Sequence, residues 1–310
     1  MKRLLCVLPA ILMALAAHAE TLIGLRPNEE QSHYDIVSIE SQTGTISTLI
    51  DNAFTDFYGG SFISNPAIGV GYAITDQFTL FQYSLSTGQV LANPSVGFGG
   101  ALALGTGGNL VGVRYDEEAE ESDIVTVDPQ TGATSTLISS AFADFYGGSF
   151  ISNPSLGVGY AITDDFSLLQ FNLSTGQILA SPSVGFGGDL ALGASGSLVG
   201  LRYDDEFYDI VTIDPQTGNV SILVDNAFSD FYFGTFGSNP ALGIGYVQTD
   251  SNILFQFDLS TGAIVGDPVL NSGLKAMTSA AVPEPAPLSF LLFVAAVGLC
   301  FFPKRRQVGK

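Results

Sequence analysis

Hydrophobic residues along this chain come in short bursts rather than in long periodic stretches. One representative segment contains four β-rich runs, at residues 189–194, 198–203, 208–214 and 219–224. GASGS (193–197) turns between the first two, and DPQTG (214–218) separates the last two with the polar, glycine-ending chemistry of a tight hairpin. The run DIVTID (209–214) is apolar on both faces instead of cleanly alternating, as expected of a strand sandwiched between neighbouring sheets. Nothing in this pattern carries a long helical period. The prediction is an all-β body.

The bursts repeat. AFTDFYGGSFISNP (53–66) returns as AFADFYGGSFISNP (141–154) and again as AFSDFYFGTFGSNP (227–240). A finer period lies inside, marked by Thr-Gly pairs at Thr43, Thr87, Thr131, Thr175, Thr217 and Thr261, with steps of 44, 44, 44, 42 and 44 residues. Six units of two alternating types make three double repeats. Four strands in about 44 residues, six times over, match the blades of a six-bladed β-propeller. An open β-rich array is the competing architecture.

The two ends favour closure. The first unit begins at TLIGLR (21–26), which matches the second strand of later odd units and lacks a first strand. GLKAM (273–277) aligns with GDLAL (188–192) and supplies it, so that the first blade is shared by both termini and no sheet edge stays open.

Charge then narrows the partners. Of ten Lys and Arg, only Arg26, Arg114, Arg202 and Lys275 fall in residues 20–280, against 29 acids, so this body carries about 25 negative charges. Nucleic acid is excluded as a partner, because binding it needs a cationic surface. Cations and cationic polymers fit. The body has no cysteine, since Cys6 and Cys300 lie near the two ends, and its core must hold without disulfides.

In a propeller, the loops joining strands two and three share a face with the blade-to-blade connections. Two unusual segments fall there. The first is acidic: PNEEQSHYD (27–35), YDEEAEESD (115–123) and YDDEFYD (203–209). Asp116, Glu117, Glu118, Asp204 and Asp205 are the candidate ligands for a hard cation such as Ca²⁺, which takes six to eight oxygens. The loops lack the D-x-[DN]-x-[DN]-G pattern, and solvated acidic hairpins are the simpler reading. Arg26, Arg114 and Arg202, just before these loops, are expected to pair with the neighbouring acids.

The second segment is aromatic. Asp56 and Tyr58, Asp144 and Tyr146, and Asp230 and Tyr232 recur in the AFxDFY connections. Tyrosine and phenylalanine beside carboxylates suit sugar binding through stacking and hydrogen bonds. The alternative is structural, with Phe plugging between blades and Asp capping the turn.

Catalysis has less support. A Ser-His-Asp arrangement would need His33, the one histidine of the body, and zinc ligands are too few. No acid stands out from its repeat mates, so the paired carboxylates of a glycosidase find no obvious candidate. Near-identical double repeats favour multivalent binding or a structural role.

The ends set the destination. Residues 1–19 open with Lys2 and Arg3, continue through an apolar stretch and finish Ala17-His18-Ala19, which reads as a secretory signal cut between Ala19 and Glu20. At the other end, residues 281–310 hold Val282-Pro283-Glu284-Pro285, an apolar run at 288–302, and Lys304-Arg305-Arg306. As a helix that run is about 22 Å long, short for a permanent span. Together the three parts resemble the PEP-CTERM sorting signal of exosortase-processed bacterial surface proteins. The resemblance covers only the tail. It implies transient membrane insertion, cleavage near the motif by an exosortase-type protease, and delivery to the cell surface or exopolysaccharide matrix. A plain one-span anchor is the alternative.

The sequence therefore predicts an exported, acidic, non-catalytic propeller that binds or builds an extracellular polysaccharide matrix such as a biofilm. A Ca²⁺-dependent hydrolase acting on polysaccharide or phosphate esters is the alternative.

Overall fold

A computed structural model of the protein describes residues 20–28 and 32–280. Residues 1–19 and 281–310, with the signal and transmembrane helices expected there, lie outside the described residues. No helix among the described residues is long and apolar enough to cross a membrane.

The described chain forms six four-stranded antiparallel sheets. The innermost strands are β4 (Ile63–Asn65), β8 (Leu102–Leu104), β12 (Ile151–Asn153), β16 (Leu190–Leu192), β20 (Gly237–Asn239) and β24 (Ala276–Ser279). Each touches the next and β24 returns to β4, which closes a ring around a central axis. The fold is a six-bladed β-propeller, built as three double repeats. In each sheet the chain then runs outward strand by strand, as in β16, β17 (Leu198–Asp204), β18 (Phe207–Ile213) and β19 (Val220–Phe228).

The first blade is shared by both ends, in the order β24, β1 (Thr21–Asn28), β2 (His33–Glu40), β3 (Ile46–Phe54). Its register corrects the expected alignment. Met277 lies opposite Gly24, as Leu102 lies opposite Gly112 and Leu190 opposite Gly200. Met277 thus corresponds to Leu190, not to Leu192, and Ala276 to Asp189. A two-residue slip keeps every side chain on the same face of a strand, so the apolar pattern alone could not distinguish the registers.

The cores lie between blades, which is why the middle strands are apolar on both faces. Ile36 and Leu25 of the first blade pack with Phe81 and Tyr83 of the second, and the same arrangement recurs in the next two double repeats. Gln82, Gln170 and Gln256 reach from alternate blades to the backbone carbonyls of Pro129, Pro215 and Ser41 in the turns of the following blades.

One core position breaks the repeat at a cost. Tyr83 occupies the place of Phe171 and Phe257, each beneath a glycine whose hypothetical Cβ would strike the ring, namely Gly71, Gly159 and Gly245. The Tyr83 hydroxyl is fully buried and has no hydrogen-bond partner among the described residues. Burying an unmatched hydroxyl costs about 1–3 kcal/mol. Tyr83→Phe is therefore expected to stabilise the domain by about 1–2 kcal/mol. A urea midpoint that stays the same or falls would refute this account.

Candidate functional site

The β1–β2, β9 (Leu110–Asp116)–β10 (Glu121–Val127) and β17–β18 hairpins end on the face that carries the blade-to-blade connections. Aromatic contacts fix this. Tyr34 meets Phe57 edge to face at 5.3 Å between ring centres, and Tyr208 meets Phe231 at 5.0 Å. The third blade has Ser122 at the matching place, opposite Phe142 in register. Tyr115 and Tyr203 stand exposed on the hairpins, and Phe78, Phe166 and Phe233 are exposed on neighbouring loops of the same face.

The three arginines are structural. Arg26, Arg114 and Arg202 each contact an aspartate across the hairpin, Asp35, Asp123 and Asp209, at 2.6 Å. The other oxygen of each carboxylate accepts a backbone N–H from Asn52, Ser140 or Asn226, residues with φ near +50° where the outer strand bulges. The Arg114 hydrogen bond holds the Asp123 carboxyl below the usual range. Burial opposes ionisation of Asp35 and Asp209, yet their arginine and backbone donors also leave them lowered.

Asp56, Asp144 and Asp230 occupy equivalent places, and each accepts the N–H of the next residue at 2.8 Å. Asp56 and Asp144 are exposed. Tyr58 and Tyr146 are half-buried, stacked on Phe78 and Phe166 and laid over Gly99 and Gly187, where a side chain would collide with the ring. Tyr232 lies beside Gly273 and Asn252. The tyrosines thus lock neighbouring blades while the aspartates project at the rim.

The acidic candidates do not converge. Asp116 accepts the N–H groups of Glu118 and Ala119 at the hairpin tip. Asp204 faces Arg202 at 3.8 Å, and Asp205 takes φ of +55° and accepts Tyr203 Oη at its carbonyl. No group of three or more His, Cys, Asp or Glu able to hold a metal ion is gathered among the described residues. His33 opens β2, in register with Asn28.

Glu20 is buried beside the ring closure. Its carboxylate accepts Asn239 Nδ2 at 2.9 Å and the Ser279 hydroxyl, and its N–H donates to Ser41 Oγ. Burial raises its pKa against the pull of these two donors. Ala19, Val282, Pro283, Glu284 and Pro285 lie outside the described residues.

A second site was missed by the sequence reading. All six inner strands line an axial cavity of about 360 Å³. Near it, Gly60, Gly148 and Gly234 of the three aromatic connections lie against Ala101, Asp189 and Ala276. Two units place alanine there and the third places a carboxylate. The expectation that no acid departs from its repeat mates is corrected by this residue: GFGGALALG (97–105) becomes GFGGDLALG (185–193). The signal was a single substitution inside an otherwise identical stretch.

Asp189 is 5% exposed, its Oδ2 is buried with no hydrogen-bond partner among the described residues, and it accepts a backbone hydrogen bond from Gly234. Burial pushes its pKa up to about 6, partly offset by that bond. The backbone answers locally. Gly60 and Gly234 take φ of +78° and +80°, whereas residues Gly147–Ser149 form a 3₁₀ turn, and a side chain on Gly148 would collide with the Asp189 carboxylate.

No family model matches the chain, and no curated protein sequence matches it. Solved structures do match in fold. A chain of the nidogen/laminin complex is 13% identical, with a TM-score of 0.61 over 85% of this chain and 99% of that one. TolB from Acinetobacter baumannii is 14% identical, with a TM-score of 0.64 over 84% of this chain and 66% of that one. A Bacteroides uniformis protein described as a candidate 6-phosphogluconolactonase is 14% identical, with a TM-score of 0.51 over 84% of this chain and 99% of that one. At such identities the likeness shows the propeller fold alone.

Proposed function

We propose that this chain is an exported, non-catalytic propeller that binds an extracellular polysaccharide through its loop-bearing face, as a component of the cell surface or matrix. The observation that carries this reading is the threefold recurrence, on one face, of the exposed carboxylates Asp56, Asp144 and Asp230, with exposed aromatic rings in every unit at positions that differ between units: Phe78, then Tyr115 and Phe166, then Tyr203 and Phe233. Rings offer stacking surfaces for sugars and carboxylates accept their hydroxyl hydrogens. Three weak copies on a rigid frame add through avidity. Export follows from the reading of residues 1–19, and surface delivery from the resemblance of the tail to exosortase-processed signals. The hydrolase alternative draws on Asp189, an acid unique in its repeat, but no second acidic side chain lines its cavity among the described residues.

The test is binding to immobilised polysaccharides, read beside a thermal melt. Asp56→Asn, Asp144→Asn and Asp230→Asn keep the oxygen that accepts the neighbouring N–H while removing the charge. The triple variant is expected to keep its melting temperature within about 2 °C and lose at least about tenfold in avidity, while each single variant loses far less. Unchanged binding by a folded triple variant would sink the proposal.

A further inference from the structure

We propose that the axial cavity is a binding site for a small organic cation, a primary amine whose ammonium group pairs with Asp189 while its carbon body lies along the channel wall. Three observations converge. Asp189 is the only acidic or basic side chain lining the cavity among the described residues. Its Oδ2 is buried without a hydrogen-bond partner there. A carboxylate in that state is costly unless a cation or a proton completes it.

The wall decides the kind of cation. Phe62, Leu102, Leu190 and Met277 give it an apolar surface, with the hydroxyls of Ser64 and Ser152 between them. A hard divalent metal asks for six to eight oxygens, commonly several carboxylates. One carboxylate in a mostly apolar channel suits an ammonium head with a hydrocarbon or sugar body. The cavity of about 360 Å³ has room for such a molecule, being on the order of ten waters at about 30 Å³ each. The negative field of the body draws cations towards it.

Calorimetric titration of the full chain with n-butylammonium at pH 7.5 tests this, with n-butanol and CaCl₂ titrated separately. The expected result is one-to-one binding of the amine at millimolar or lower concentration and none of the alcohol. Asp189→Ala places there the residue that the other two units carry, and it is expected to weaken amine binding at least about tenfold. If that variant fails to fold, Asp189→Asn carries the comparison.

The wild-type protein offers a further arm. Affinity should fall about tenfold from pH 7.5 to pH 5 as Asp189 takes up a proton. The titratable group that senses Asp189 is Tyr208 of β18, which burial and the nearby Asp230 keep neutral throughout this range. Absence of amine binding would overturn the proposal, as would equal affinity in wild type and Asp189→Ala. Calcium binding that disappears in Asp189→Ala, with no response to the amine, would overturn it in favour of a metal site.

Discussion

Asp189→Ala and Asp189→Asn are expected to make the protein more stable at neutral pH, by about 3 kcal/mol. The sign follows from linkage. Burial raises the folded-state pKa from the ordinary 3.8 to about 6. Below about pH 4 the group is protonated in both states and costs nothing by this route. Between about pH 4 and pH 6 the unfolded chain releases the proton while the folded one retains it, so wild-type stability falls as pH rises. Above about pH 6 the full penalty persists. The alanine variant should therefore melt roughly 6–10 °C above wild type at pH 7.5, and the two should converge towards pH 4. A gap that is constant with pH would mean that relief of packing, not of charge, explains the gain. A variant less stable than wild type at pH 7.5 would refute the burial argument.

Ring closure is expected to depend on Gln248 as well as on β24 itself. Gln248 is fully buried and stands where Ile74 and Ile162 stand in the other two units. Its amide donates to Asn252 Oδ1 and the Ser272 carbonyl, and its oxygen accepts the Leu274 N–H at 2.9 Å. These bonds fix the segment that leads into β24, whose residues pair with Leu22, Ile23, Gly24 and Leu25. Gln248→Ile keeps the shape used elsewhere in the repeat but strands those partners, at a cost of about 3–5 kcal/mol. A chain ending at Leu274 loses β24 altogether, exposes the inner edge of β1 and strips Met277 from the core cluster that holds Leu22. That chain should lose its cooperative urea transition or aggregate through the bare edge, whereas a chain ending at Ala280 should unfold cooperatively. Equal midpoints for Gln248→Ile and wild type would show that β24 pairing closes the ring unaided.

Much of the fold was legible because the physics of a propeller is written locally and then copied. The Thr-Gly spacing marks one hairpin per blade, as at Gly218, whose φ of +72° and N–H bond to Asp214 close the turn. Strands apolar on both faces announce that each sheet is covered by two neighbours. The missing first strand of the first unit announced closure, since a ring has no free edge. The arginines just before the acidic hairpins were readable as pairing partners because opposite charges on facing strands meet across the hairpin.

Tertiary structure decided the rest. The closing register could not be read because strand periodicity is blind to a two-residue slip, and the turn at Gly234 and the Gln248 amide set it instead. The Asp-Phe-Tyr segment reads as one motif, yet the fold divides it, sending the aspartate to the rim and the tyrosine between blades. Asp189 shows the same division most clearly. Sequence determined that a carboxylate replaces alanine in one unit of three, but only the packing of neighbouring blades brings that position against Gly148 and Gly234 and buries it. A carboxylate takes its pKa and its partners from what surrounds it in space, and residues 148, 189 and 234 become neighbours only when three successive blades pack side by side.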